Sequence, residues 1–374
     1  MSLFTGRYPN PLNATAHILM QAALETAKGA LLLTSTPNVD RLALMVVALT
    51  GYEGRDDHPW AGVRIDEEHY SASLIKVAAM YAAFDLRACA DQLAATNGLS
   101  TWAAIDAALN AEFNPEIDAH TPALISGSPL IRPEDKNRKP NYWAMLQLGA
   151  PGSDFLVDFT PAQVAAFENM IVHAHNPGAT TTIHGLGYPF LNAKLADEGF
   201  FEDGKGVWLA GDYAFGTQWP AARIESKNDG PSAQATTAVH LARLLTLLFD
   251  RPFPDPAPSG RLVGPLSSAG MQDLMRRAGA WFHHTGIIPP NPIWPSGSRF
   301  RATHSKVGVG PMKTGGLSAF SEGLVVRDTL RDLDFVVVWQ NVVDTLGAGD
   351  QPFRRTFEPV ATLIEATISA FVPL

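Results

Sequence analysis

Cysteine is almost missing from this chain. Cys89 is the one thiol among 374 residues, which excludes an internal disulfide and a cysteine-built metal cluster. Charge is sparse as well: charged residues make up 17%, with a formal net charge of -9. The densest basic stretch, Arg132 to Lys139, interleaves Glu134 and Asp135. It reads as a solvated loop and not as a nucleic-acid groove. Long apolar runs are absent, since Leu31–Leu33 and Leu42–Leu49 are each too short to span a bilayer. The first residues show no lysine-rich start followed by an apolar run. The chain as given is therefore expected to be soluble. Export to a periplasm or the medium stays open, because a removed leader would leave no trace. No internal repeat is visible. His283-His284 and His304 form no spaced metal motif, and Gly308-Val309-Gly310 and Gly315-Gly316 lack the strand-turn-helix setting of a phosphate loop. No metal or cofactor is expected. Hydrophobic residues make up 46%, enough for one large domain or two intimately packed ones.

Periodicity divides the chain. Asn13–Lys28 reads as a helix, Leu42–Leu49 as a central strand, and Gly62–Ile65 as its partner across a turn at Gly51–Gly54. Ala88–Leu109 reads as helical with a break near Asn97-Gly98. Residues 114–158 turn rich in Pro, Gly, Asn and charge and read as a long irregular excursion. Pro161–Ala174 is predicted helical behind an N-cap at Thr160, followed by helices at Tyr188–Ala196, Ser232–Asp250 and Gly270–Trp281. Pro252–Pro258 connects the last two. Strands are predicted at Arg299–Gly310, Glu322–Arg327 and Leu333–Gln340, and a final helix at Arg355–Phe371. Strands gathered at both ends of the chain, with helices between, imply an α+β fold. Its antiparallel sheet is flanked by terminal helices and joined to an all-helical domain. The expected division is 12–70 with 262–374 as the sheet domain and 71–261 as the helical domain, with an insertion at 97–159. The crevice between two such units is the default ligand site.

The most informative stretch is Tyr70-Ser71-Ala72-Ser73-Leu74-Ile75-Lys76, followed by the apolar, Ala-rich run from Val77 to Phe84. On a helix Ser73 and Lys76 share a face. A serine hydroxyl is a poor nucleophile until its proton is taken, and a lysine shielded from water has a lowered pKa and can take it. The plain alternative is a serine that caps a first turn beside a lysine that snorkels.

Four segments, in order, give the chain a family likeness. Ser71-Ala72-Ser73-Leu74-Ile75-Lys76 resembles the Ser-x-x-Lys segment of the penicillin-recognising serine enzymes, most of all the class A beta-lactamases. Met170-Ile171-Val172-His173-Ala174-His175-Asn176-Pro177 resembles the segment that carries Ser-Asp-Asn. Asn228 to Thr237 resembles the helix start read as Thr-Pro-x-x-Met-Ala-Thr-Thr. His304-Ser305-Lys306-Val307-Gly308 resembles the Lys-Thr-Gly strand. The likeness covers Asn13 to Phe371, apart from the region Asn97 to Phe159.

The resemblance implies that Ser73 is the acylated nucleophile and Lys76 its proton acceptor, with the backbone N–H of Ser73 as half of an oxyanion hole. Ala174 then stands where a proton-donating serine is expected, and His175 where an aspartate is. His173 or His175 can substitute by imidazole chemistry, or both are structural. Asn176 is a substrate contact or a helix terminator. The loop between Ala210 and Asp229 should supply a carboxylate to activate a deacylating water. It offers Asp212, Glu225 and Asp229 without the family's Glu-x-x-Leu-Asn, so Glu225 is either a general base or an exposed charge. Lys306, favoured over the literal Lys-Thr-Gly at Lys313, would attract a substrate carboxylate. Val307 replaces a threonine there, and Gly308 lets the ligand approach closely.

These residues imply a serine acyl hydrolase acting through an acyl-enzyme on an amide or ester. A beta-lactam, a D-amino-acid peptide or a small ester would fit, with penicillin binding and antibiotic resistance as the associated roles. The alternative is a catalytically degenerate binding protein that keeps the cleft. The partner expected is a small molecule with a carboxylate, with no nucleic acid and no stable membrane insertion. Oligomeric state is not legible.

Overall fold

The computed structural model describes residues 2–4, 6–129, 138–211, 213, 222–228, 233–250, 265–282, 293–295, 297–345 and 350–373. The expectations for Pro252–Pro258, His283-His284, Asp212 and Asp229 fall outside them. Strand β1 (Ala43–Ala48) is buried at all six positions. Its side chains alternate between two cores: Ala43, Met45 and Val47 join one, and Leu44, Val46 and Ala48 the other. A strand covered on both faces needs no polar residue, which explains its unbroken apolar run. It sits inside a five-stranded antiparallel sheet. The order is Phe300–Pro311, Ser318–Asp328, Leu333–Asp344, β1, and β2 (Trp60–Val63).

One sheet face packs helix α1 (Ile18–Leu33) and the last helix, Asp350–Ser369. Met20 and Leu24 there meet Phe357, Val360, Ile364 and Ile368 over Val337 and Trp339. The opposite face packs helix Ala238–Phe249, and helix α2 (Lys76–Thr96) joins the same core. α2 is buried along most of its 21 residues, so its Ala-rich sequence suits a helix packed on every side.

Several predicted elements differ in detail. α1 begins later than Asn13 because residues before it are used against the β2 edge: Asn13 N donates to His58 O at 3.0 Å and His17 N to Trp60 O at 2.7 Å. His17 caps the helix by accepting from Met20 N. Residues 114–158 are not an irregular excursion in their described parts. They hold the end of helix Trp102–His120, short helices at Ala123–Gly127 and Tyr142–Met145, and a hairpin of Leu146–Leu148 with Val157–Phe159. Ile105, Leu109, Phe113 and Ile117, four apart, bury one helix face and carry the helix through Pro115. Ser232–Asp250 is not one helix: strand Gln234–Thr236 precedes Ala238–Phe249. That strand pairs with His69–Tyr70 on one side and Trp208–Leu209 on the other, and so anchors the chain just before Ser71. Pro161–Phe167 starts at its Thr160 cap, then widens into a π turn over Glu168–Val172.

Candidate functional site

Ser73 lies in a 3₁₀ turn, Ala72–Ile75, wedged between the Gln234–Thr236 strand and the start of α2. The turn is fixed by its backbone. Ala72 is left-handed, with φ +49°, a conformation costing roughly 1–2 kcal/mol outside glycine. Its carbonyl accepts the Tyr213 hydroxyl at 3.1 Å. The Ser71 carbonyl accepts the Ser321 hydroxyl at 2.7 Å and the Leu74 N–H at 3.1 Å. Strand Phe300–Pro311 presses against this turn through two glycines. A Cβ at Gly308 would stand 2.8 Å from Leu74 N, and one at Gly310 would stand 2.9 Å from Ala72 Cβ. Gly308 is thus required by close approach, at the point where a ligand strand contact was expected. Ser73 itself is half-buried amid buried neighbours.

Lys76 is the first residue of α2 and is fully buried. Its Nζ donates to Asn176 Oδ1 at 2.8 Å and to the Ala174 carbonyl at 3.2 Å, and lies 4.6 Å from the centre of the Tyr213 ring. Burial, reinforced by repulsion from Lys306, lowers its pKa to about 6. Lys306 is also fully buried, and burial lowers its pKa to about 7 against the pull of Glu322. Its Nζ donates to the Val307 carbonyl at 2.9 Å. Behind it, Glu322 accepts from Ser305 Oγ at 2.6 Å and from Trp281 N at 3.1 Å, and burial raises its pKa to about 8. Lys76, Lys306 and Glu322 are each fully buried, and burial moves each pKa toward neutrality.

The second segment is organised around Ala174, which is left-handed with φ +55°. Ala174 follows the π turn, and its carbonyl is the one that meets Lys76. Asn176 does not end a helix. It opens helix Asn176–Leu186, with Pro177 in the first turn, where proline needs no donor partner. His173 and His175 are exposed, with ring centroids 5.8 Å apart. His173 Nε2 lies 3.9 Å from Glu168, whose carboxylate is gripped by Arg277 at 2.5 and 2.6 Å. Both imidazoles therefore belong to the rim, and the contact with Lys76 runs through a carbonyl and an amide.

Lys76 and Asn176 are joined by a hydrogen bond, Lys306 lies near enough to lower the Lys76 pKa, and Gly308 packs on the turn that holds Ser73. Among the described residues no hydrogen bond joins Ser73 Oγ to Lys76, and Val307, expected at the substrate, packs instead into the core beneath the terminal helices. Glu225 is exposed and makes no ion pair or hydrogen bond with Lys76 among the described residues. Lys313 is exposed in the turn after Pro311, and Lys306 is the buried lysine of the pair. Among the described residues no group of three or more His, Cys, Asp or Glu could hold a metal ion, and no helix is long and apolar enough to cross a membrane. Tyr213 was missed by sequence reasoning. It lies in the Ala210–Asp229 segment that was searched for carboxylates, and a lone tyrosine in a loop carries no spacing signal.

No family model matches the chain, and no curated protein matches it in sequence. Solved structures do match in shape. A class A beta-lactamase from Bacteroides cellulosilyticus DSM 14838 matches with a TM-score of 0.52 at 12% identity, over 94% of this chain and 99% of that one. A beta-lactamase from Chitinophaga pinensis DSM 2588 gives 0.49 at 12% identity, over 94% and 99%. A PBP-A variant held as an acyl-enzyme with penicillin G gives 0.45 at 14% identity, over 93% and 97%. Identities this low speak for shape alone, and in shape this chain has the beta-lactamase-like fold, an antiparallel sheet with helices.

Proposed function

We propose that this protein is a serine acyl hydrolase in which Ser73 is the nucleophile and Lys76 its base. The observation that carries the reading is the state of Lys76. It is a fully buried amine three residues beyond a half-buried serine, and its Nζ hydrogen-bonds to two neutral oxygens. A pKa of about 6 leaves it mostly neutral at pH 7, the form that can accept a proton. In acylation the Ser73 hydroxyl passes its proton to Lys76 Nζ while Oγ bonds to the substrate carbonyl carbon. The Ser73 N–H supports the oxyanion. The bond to the leaving nitrogen or oxygen then breaks, and the proton on Lys76 moves to it, directly or through water. Ala174 has no hydroxyl to share that transfer. Lys306, when protonated, attracts a substrate carboxylate, and Asn176 and Gly308 border the bound molecule. The reading keeps residues 12–70 and 262–374 as the sheet domain and 71–261 as the helical domain.

A second reading, a binding protein that keeps the cleft without turnover, is favoured by Ala174, by Val307 in place of a hydroxyl, and by the exposure of Glu225. A fluorescent penicillin and a fluorophosphonate separate the two. The enzyme reading expects a covalent adduct on Ser73 by mass spectrometry, absent in Ser73→Ala. No adduct with either probe would leave the binder. Substrate is expected to be a carboxylate-bearing amide or ester, and activated esters should react faster than penicillins, because their leaving groups need no proton.

A further inference from the structure

We propose that Tyr213 is the positioning residue of this site: its hydroxyl fixes the left-handed Ala72 turn that presents Ser73, and its ring receives the ammonium of Lys76. The inference rests on the acyl-transfer reading and names what stabilises its charged intermediate.

One rigid side chain touches both Lys76 and the residue that precedes Ser73. The phenol donates to the Ala72 carbonyl at 3.1 Å, one residue before Ser73. The ring centre lies 4.6 Å from Lys76 Nζ. The whole side chain is 7% exposed, so water competes little for either contact. The other groups around Lys76 are few. Ala174 O and Asn176 Oδ1 face it from the second segment, and Lys306 faces it from the strand with Glu322 behind. Tyr70 lies beside Tyr213, while His173, His175 and Glu168 occupy the rim. Among the described residues no carboxylate makes an ion pair or hydrogen bond with Lys76.

Acylation turns Lys76 from an amine into an ammonium. An aromatic face attracts a cation and is nearly indifferent to an amine, so Tyr213 favours the state after proton transfer. A carboxylate in its place would attract the proton far more strongly and would raise the lysine out of its useful range. The phenol is not itself the base, since burial pushes its pKa well above the ordinary value. The same ring occupies the flank of Lys76 on the loop expected to carry a water-activating carboxylate.

Two variants and two readouts test this. Lysine labelled at ¹³Cε gives the titration of Lys76 by NMR, its resonance assigned by loss in Lys76→Met. Fluorophosphonate labelling against pH gives the acylation rate. Tyr213→Leu should lower the Lys76 midpoint by about half a unit or more, because the ammonium loses its partner. Tyr213→Phe keeps the ring. It should hold the midpoint within about 0.3 unit, while plateau labelling falls about three- to tenfold with the lost hydrogen bond. An unchanged or raised midpoint in Tyr213→Leu would overturn the ring's role. A midpoint in Tyr213→Phe displaced as far as in Tyr213→Leu would do the same. Labelling by Tyr213→Phe at the wild-type rate would overturn the role of the hydroxyl. Failure of the wild type to label at all would sink the acyl-transfer reading, while the NMR midpoints would still decide whether the ring holds the ammonium.

Discussion

Lys76, at the start of α2, and Lys194, paired with Asp85 of the same helix, are both buried, yet the same burial leaves them in opposite states. Lys76 meets a carbonyl, an amide oxygen and a ring, and its pKa falls to about 6. Lys194 lies 2.9 Å from Asp85, which α2 supplies, 2.8 Å from Glu198, and 2.9 Å from the Leu3 carbonyl. Burial alone would lower its pKa, but the two carboxylates more than offset that and hold it well above the ordinary value. Glu198 is completed by the Tyr81 hydroxyl at 2.5 Å. Desolvation is common to both lysines, and the charge of the partner decides between them. A buried lysine with acidic partners holds its proton, and one with neutral partners gives it up more readily.

Removing Lys194 should have the largest effect. Lys194→Met leaves Asp85 and Glu198 buried without a cation, and should cost about 3–5 kcal/mol in urea unfolding, enough to threaten folding altogether. Lys76→Met should do the reverse. Between pH 6 and 10.5 the unfolded lysine binds more proton than the folded one, so wild-type stability rises with pH across that window. The substitution removes this penalty, so Lys76→Met should be more stable at pH 7 by about 2–4 kcal/mol, the gain fading toward pH 10.5. Covalent labelling should fall about 100-fold or more at the same time. A destabilised Lys76→Met would show that the lysine serves packing.

The comparison can also be sharpened by making one lysine resemble the other. Asn176→Asp gives Lys76 a carboxylate in place of an amide, and the acid limb of the labelling profile should move up by about one unit or more. In the wild type that limb should lie near pH 6, where Lys76 loses its proton. KM for an anionic substrate, but not for a neutral ester, should rise as Lys306 discharges above about pH 7. The smallest effect belongs to the exposed Glu225. Glu225→Gln should change stability by less than about 0.5 kcal/mol and leave the lifetime of the acyl adduct unaltered. A longer-lived adduct would restore Glu225 as a base for deacylation.

The legible part of the fold was the part governed by local pattern. β1 and the strand Leu333–Asp344 announce themselves because two buried faces demand a long apolar run. Thr160 announces its helix because a cap is a short-range contact. The strand Gln234–Thr236 was hidden inside an apolar run, since its three residues acquire strand geometry from His69–Tyr70 and Trp208–Leu209, distant in sequence. The helix opening at Asn176 was not foreseen: termination was one of two readings of Asn176, because Pro and Gly follow it, although proline is welcome in a first turn.

The sequence by itself determined the order of elements, the Ser73–Lys76 spacing and the choice of a glycine at position 308, because these depend on periodicity and on side-chain size. Tertiary structure alone decided what those residues face. It buried Lys306 and left Lys313 exposed. It set Tyr213 against Lys76 across more than a hundred residues of chain. It also lowered the pKa of Lys76 and raised that of Lys194. A lysine's charge follows from its surroundings in space, and no spacing along the chain encodes those surroundings.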